Sequence, residues 1–153
     1  MKKQIRSFGC AVRGFIGAVR DEAHLRFHLI AAAYVFVFSL FYHFSAVQYA
    51  VLIILVACVI GAELFNTALE NACDAVTTEN NVFIKRAKDI SAGAVLAFAI
   101  AAVAVAVIFF WDIETIKSIF DYFARNIIML IVLIISAVLS VLFVKFGFGR
   151  KNR

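Results

Sequence analysis

The chain has 153 residues, of which 65% are hydrophobic, with 17 Phe, no Pro and a formal charge of +5. Soluble domains are about 45–50% apolar, so a water-soluble globule is excluded and a small helical integral membrane protein is indicated. In such a chain the positive charge belongs to loops facing anionic lipid and gives no sign of a nucleic-acid partner. The absence of Pro favours uninterrupted helices. Cys10, Cys58 and Cys73 are odd in number and unpaired in spacing, which suggests neither a disulfide framework nor a zinc site.

Residues 1–26 do not read as a signal peptide, because Arg6, Arg13 and Arg20 interrupt any apolar core. Those arginines repeat every seven residues and form one helical stripe, which Lys2 joins. Ile5, Phe8, Val12, Phe15, Ile16 and Val19 cluster on the other side, so an amphipathic helix lying in the membrane surface is predicted. If that helix continues, Glu22 follows Phe15 by seven residues and points with the apolar face. If it ends near Arg20, Glu22 is a solvated turn residue.

A first span is predicted from about residue 27 to 44, with a short turn over 43–47. A second helix begins near Ala46 and runs to about Val76, and the polar segment 77–81 makes the next loop. Lys85, Arg86, Lys88 and Asp89 open a third helix that runs through Ser91 to Trp111. Its small residues (Ala92, Gly93, Ala94, Ala97 and Ala101) mark it as packed rather than lipid-facing. Residues 112–126 read as an amphipathic connector. Residues 127–144 read as a fourth span of just sufficient length, with Ser136 and Ser140 as a small packing stripe. The expected architecture is therefore all-α: a surface helix and four transmembrane helices. Six Lys/Arg lie in the N-terminal arm, three after the second span and four in the C-terminal tail, against two in the connector. That asymmetry places both termini and the 73–89 loop in the cytoplasm.

The second helix carries the chemistry. Its apolar run 50–60 leads straight into GAELFNTALENACD at 61–74. At about 100° per residue, Glu63 and Glu70 lie roughly 20° apart, with Asn66 and Asp74 on the same side. An ionisable group at bilayer depth costs roughly 2.5–3.5 kcal/mol on insertion scales, so such residues face a protein interior and serve a purpose. Carboxylates suit Mg²⁺ together with substrate phosphates, and Arg86 and Lys88 suit phosphate oxygens. A deeper carboxylate could take a proton from a lipid hydroxyl. These parts meet the needs of phosphoryl transfer, although no GxxxxGK[ST] loop or protein-kinase signature is present. On residue types alone, a kinase and a small ion-coupled transporter both remain open.

ELFNTALENACD at 63–74, RAKD at 86–89 and AGAVL at 92–96 resemble the prokaryotic diacylglycerol kinase family, whose pattern is E-x-x-N-[ST]-A-x-E-x-x-x-D, then A-K-D and a small-residue helix. FGCAVRG at 8–14 and EAHLRFH at 22–28 match as well. The latter resembles the Gram-positive branch, whose members are often undecaprenol kinases. The resemblance covers about residues 5–111. It implies a kinase domain over 1–111, with a connector, an extra span and a basic tail over 112–153. It also implies an ATP- and Mg²⁺-dependent lipid kinase of the cell membrane acting on undecaprenol or diacylglycerol, working as a homotrimer with sites at subunit boundaries.

By position, the resemblance makes Glu63 the general base and Glu22 and Glu70 the metal carboxylates. Asn66, Asp74, Glu79, Lys88 and Asp89 fall at nucleotide-site positions, and Arg26 and His28 fall where the family meets its lipid. Asn80 and Asn81 depart from the family's aromatic-histidine pair. The fourth span lies outside the family pattern.

Overall fold

The computed structural model describes residues 2–77, 79 and 81–147; the basic residues Arg150, Lys151 and Arg153, and Asn80, lie outside them. Six helices follow in order among the described residues: α1 (Lys2–Asp21), α2 (Ala23–Ser39), α3 (Ala46–Val76), α4 (Val82–Phe110), α5 (Ile113–Arg125) and α6 (Ile127–Phe146). Helices α3, α4 and α6 are long and apolar enough to cross a membrane, and α2 is a shorter apolar helix of 17 residues.

α3 starts and stops where its sequence says it should. Ser45 accepts from the Gln48 backbone N–H while the Gln48 side chain accepts from the Ser45 N–H, a reciprocal cap that fixes the first turn. The helix then runs 31 residues to the polar loop. α4 begins at Val82, three residues before the expected Lys85, because Asn81 Oδ1 accepts from the Phe83 and Ile84 N–H groups.

α2 differs most from expectation, starting four residues earlier and ending five earlier than predicted. Its start follows from Glu22, whose extended backbone (φ −107°, ψ 117°) breaks the chain between α1 and α2. At its end the Leu40, Phe41 and Tyr42 N–H groups bond three residues back, to Val37, Phe38 and Ser39, tightening the chain into a turn.

Few side chains are fully enclosed. Leu25, Leu52, Val59 and Val95 are buried, whereas Ile53, Phe65, Ile100, Ile108, Ile131 and Val141 are exposed. In water that surface would be prohibitive; in a bilayer the acyl chains solvate it, and helix association falls to packing and hydrogen bonds. The apolar side of α1 is likewise open (Ile5, Phe8 and Ile16 are exposed), as suits a helix lying on lipid. α4 rests on α3 through one face that includes Ser91 and the buried Val95. The small residues Ala92, Gly93, Ala94, Ala97 and Ala101 are exposed. The expectation that they pack is therefore not met within the single chain, although Ala94 borders the groove between α3 and α4.

α6 has no buried residue, yet it is bolted to α2 by polar groups. Tyr34 Oη lies 2.9 Å from Ser136 Oγ and 3.4 Å from Ser140 Oγ. Arg26 is 5% exposed. Its Nη1 donates to the Val19 and Arg20 carbonyls at the end of α1, and its Nε and Nη2 donate to the Val144 carbonyl at the end of α6. Gly147, just past α6, has φ 58° and ψ −152°, a conformation essentially reserved for glycine. A Cβ there would meet the Arg26 Cζ at 3.0 Å. At the opposite end of the bundle, Phe41, Tyr42, Phe44, Tyr49, Phe109, Phe110 and Tyr122 pack edge-on or tilted. Tyr42 Oη also donates to the Phe110 carbonyl, so the turn after α2 is locked against the end of α4.

Candidate active site

The polar face of α3 is divided between its two neighbours. Glu63 is buried at 6% exposure and turns to α2, where its Oε1 lies 3.2 Å from His28 Nε2. Thr67, one turn on, is buried too. Asn66, Glu70 and Asp74 form the side toward α4. Asn66 Nδ2 donates to Glu70 Oε1 at 2.9 Å, and Ser91 Oγ donates to Asn66 Oδ1 at 2.5 Å. Asp74 Oδ1 and Lys88 Nζ are 2.5 Å apart at the exposed end. Ser91 thus fixes which way the Asn66 amide points, and the amide in turn presents Glu70.

Depth follows from helix geometry. Counting about 1.5 Å per residue from the Ser45 cap places Glu63 about 27 Å along α3, within the length of a hydrocarbon core of roughly 30 Å. Glu70 lies about 38 Å along and Asp74 about 44 Å, beyond that length. α3 therefore carries Glu63 within that length and, one to three turns further, Asn66, Glu70 and Asp74, which Lys88 of α4 joins.

Glu22 lies at the break between α1 and α2 with no side-chain capping bond. It is half-buried and lines an open groove of about 810 Å³ between α1 and α3, together with Gly14, Asp21, Thr67, Ala68 and Asn71. It is therefore neither a helix-interior residue nor a fully solvated turn. The break turns it into the groove whose wall is the α3 polar segment. Asp89 is exposed on the first turns of α4, and Glu79 is exposed in the loop, where its N–H is held by Thr77 Oγ1. Among the described residues, no group of three or more His, Cys, Asp or Glu gathers to hold a metal ion. Cys10, Cys58 and Cys73 are free thiols.

The sequence profile of prokaryotic diacylglycerol kinase matches residues 9–110. The chain belongs to the prokaryotic diacylglycerol kinase family. It is 32% identical over 100 residues to the undecaprenol kinase of Bacillus subtilis (strain 168), covering 65% of this chain and 81% of that protein. It is 37% identical over 100 residues to the diacylglycerol kinase of Synechocystis sp., covering 65% of this chain and 57% of that protein. Membership makes the chain a membrane lipid kinase with a nucleotide as phosphoryl donor. The matched region takes in α2, α3, α4 and most of α1, so the whole polar constellation lies within it, while α5 and α6 lie outside.

Several participants escape a reading of residue types. Ser91 is one hydroxyl among many small residues, and its partner Asn66 is 25 residues away. Tyr34 gives no sign that Ser136 and Ser140 are its partners. Arg26 is placed on three backbone carbonyls, which no side-chain motif can announce.

Proposed function

We propose that the protein transfers the γ-phosphoryl group of ATP to the terminal hydroxyl of undecaprenol or diacylglycerol. The observation that carries this reading is the vertical order on α3: a buried carboxylate at lipid depth, with the nucleotide-suited cluster one to three turns above it. A lipid hydroxyl reaches only the first level, and ATP reaches only the second.

In this reading Glu63 accepts the hydroxyl proton as the oxygen attacks the γ-phosphorus and ADP leaves. Asn66, Asp74, Glu79, Lys88 and Asp89 position the nucleotide. Glu22 and Glu70, which lie on different flanks of α3 within the single chain, are the residues that would hold Mg²⁺, which neutralises phosphate charge when bound. Two oxygen-donor carboxylates suit that ion, which takes one or two carboxylates and completes its shell with phosphates and water. Arg26 and His28 fall where the family pattern meets its lipid; in this chain the Arg26 guanidinium is buried on the Val19, Arg20 and Val144 carbonyls, which leaves His28 for that contact. The 13-to-2 distribution of Lys and Arg supports a cytoplasmic site and four crossings, with both termini inside. The exposed small residues of α4, Ala92, Gly93 and Ala97, support a homotrimer in which neighbouring chains cover them. Residues 1–111 then form the kinase unit, and 112–153 an appended connector, span and tail.

The test is transfer of labelled phosphate from ATP by purified protein in lipid, with undecaprenol and diacylglycerol offered in turn. Labelled undecaprenyl phosphate or phosphatidic acid is the expected product. No transfer to either, from protein whose fold is intact, would overturn the proposal.

A further inference from the structure

The contact between His28 and Glu63 is not used by that reading, which gives His28 only a lipid-facing position. Three facts isolate it. The Glu63 side chain is 8% exposed and that of His28 20%, so the contact is sheltered from water. Of the other basic groups on α2, His24 is exposed and Arg26 is committed to the Val19, Arg20 and Val144 carbonyls. Beside these, Asp21 of α1 and the hinge residue Glu22 line the groove that has Thr67 in its wall, and both are anions. His28 is therefore the side chain placed to donate to the Glu63 carboxylate.

We propose that His28 is a positioning residue for Glu63, its Nε2–H holding Oε1 so that the second carboxylate oxygen faces the lipid hydroxyl. This rests on the reading of Glu63 as the base. A glutamate has three side-chain torsions, and a base that drifts by about 1 Å can lose about 10²-fold in rate. The 3.2 Å separation is a close contact without the alignment of a formed N–H···O bond. Catalytic hydrogen bonds in ligand-free proteins are commonly long and close up when substrate binds. No proton leaves His28 in this role: the hydroxyl proton goes to Glu63, and the imidazole only orients the carboxylate.

The experiment compares His28→Gln, His28→Asn and His28→Leu in purified protein with lipid alcohol and MgATP. Gln places an amide donor near the position of Nε2, whereas the Asn amide stops short and Leu has none. The expected result is kcat lowered about 10–100-fold in His28→Leu and His28→Asn, restored to within a few-fold by His28→Gln, with KM for MgATP unchanged in all three. Adding His28→Leu to Glu63→Gln should cost almost nothing further, because the two act as a unit.

Equal loss in Gln, Asn and Leu, or a His28→Leu loss undiminished in the Glu63→Gln background, would overturn the proposal and leave His28 a packing residue. If His28→Leu does not fold, the Asn and Gln pair decides alone. Full turnover in Glu63→Gln would remove the base reading itself. An inactive Glu63→Gln beside a fully active His28→Leu would remove only the role given to His28.

Discussion

Arg26 Nε and Nη2 donate to the Val144 carbonyl at 3.2 and 3.0 Å, joining residues 118 apart in sequence. With Nη1 on Val19 and Arg20, one buried guanidinium ties the ends of α1 and α6 to the start of α2. The carbonyls of a last helical turn have no partner inside the helix, and a planar cation with five donors satisfies two such ends together. Glu22 lies four residues before Arg26, so the tie holds the break that turns Glu22 into the groove. We expect Arg26→Ala to destabilise the folded protein by roughly 2–3 kcal/mol, the range for hydrogen bonds to a charged group. Lys should recover only part of this, because a point charge cannot span both helix ends. Thermal unfolding in detergent or bicelles checks it; unchanged stability in Arg26→Ala would contradict the tie.

The same tie bears on truncation. Ending the chain after Phe123 leaves every candidate site residue in place but removes the Val144 acceptor and the Ser136 and Ser140 partners of Tyr34. The expected outcome is retained activity at a lowered melting temperature. Interhelical hydrogen bonds in membranes average about 0.6 kcal/mol, so Tyr34→Phe alone should lower it far less than the truncation does.

Gly147 provides a separate check from the other side of the contact. Its backbone conformation excludes a side chain, and an added Cβ would press on Arg26 at 3.0 Å. We expect Gly147→Ala to destabilise by about 1–3 kcal/mol, the scale of such backbone strain. The effect should shrink when Arg26 is already Ala, since half of the conflict is then gone. A double-mutant cycle on melting temperature measures that coupling.

Sequence showed some of this and concealed the rest for identifiable reasons. The limits of α3 were legible because Ser45 and Gln48 cap locally and the loop after Val76 is polar. The ends of α2 were not, because neither Pro nor Gly marks them; the break at Glu22 lies beside the Arg26 tie, and the turn at residues 40–42 closes by local bonds and is held by Tyr42 on the Phe110 carbonyl. Seven-residue spacing brought Glu63 and Glu70 to one side of α3. Their division between His28 and the Asn66–Ser91 pair depends on which helix packs on each flank. For Arg26, an arginine snorkelling to headgroups and one clamped on carbonyls look the same in a string of residues.

Asp112 caps α5, accepting from the Thr115 hydroxyl and the Glu114 N–H. The Thr115 hydroxyl, and after it the backbone bonds, hold its carboxyl below the usual carboxylate value. A group whose pKa is lowered by folding stabilises above its unfolded pKa, and that contribution is lost as pH falls through the folded one. Wild type should therefore melt above Asp112→Ala at neutral pH, with the gap closing as the pH falls below the ordinary aspartate value of about 3.9. Melting curves across that range decide it; a gap that widens on acidification would contradict the cap.

Glu63, Glu22 and Glu70 should fail in different ways. Glu63 is buried beside His28, roughly 10 Å along the axis from Glu70 and on the lipid side of it. Glu70 is held by Asn66 nearer the water, and Glu22 lines the groove at the break. Replacement of Glu63 by Gln keeps the shape and removes the proton acceptor. We expect Glu63→Gln to lower turnover by roughly 10²–10⁴-fold, the range for loss of a general base, with MgATP binding little changed. Glu22→Gln and Glu70→Gln remove charge at the nucleotide level, so KM for MgATP should rise and raised Mg²⁺ should partly restore rate. Steady-state kinetics over a matrix of ATP and Mg²⁺ concentrations separates the two patterns. Loss of ATP binding in Glu63→Gln with turnover intact at saturation would exchange the roles, and normal turnover in all three would remove the catalytic assignment of this face.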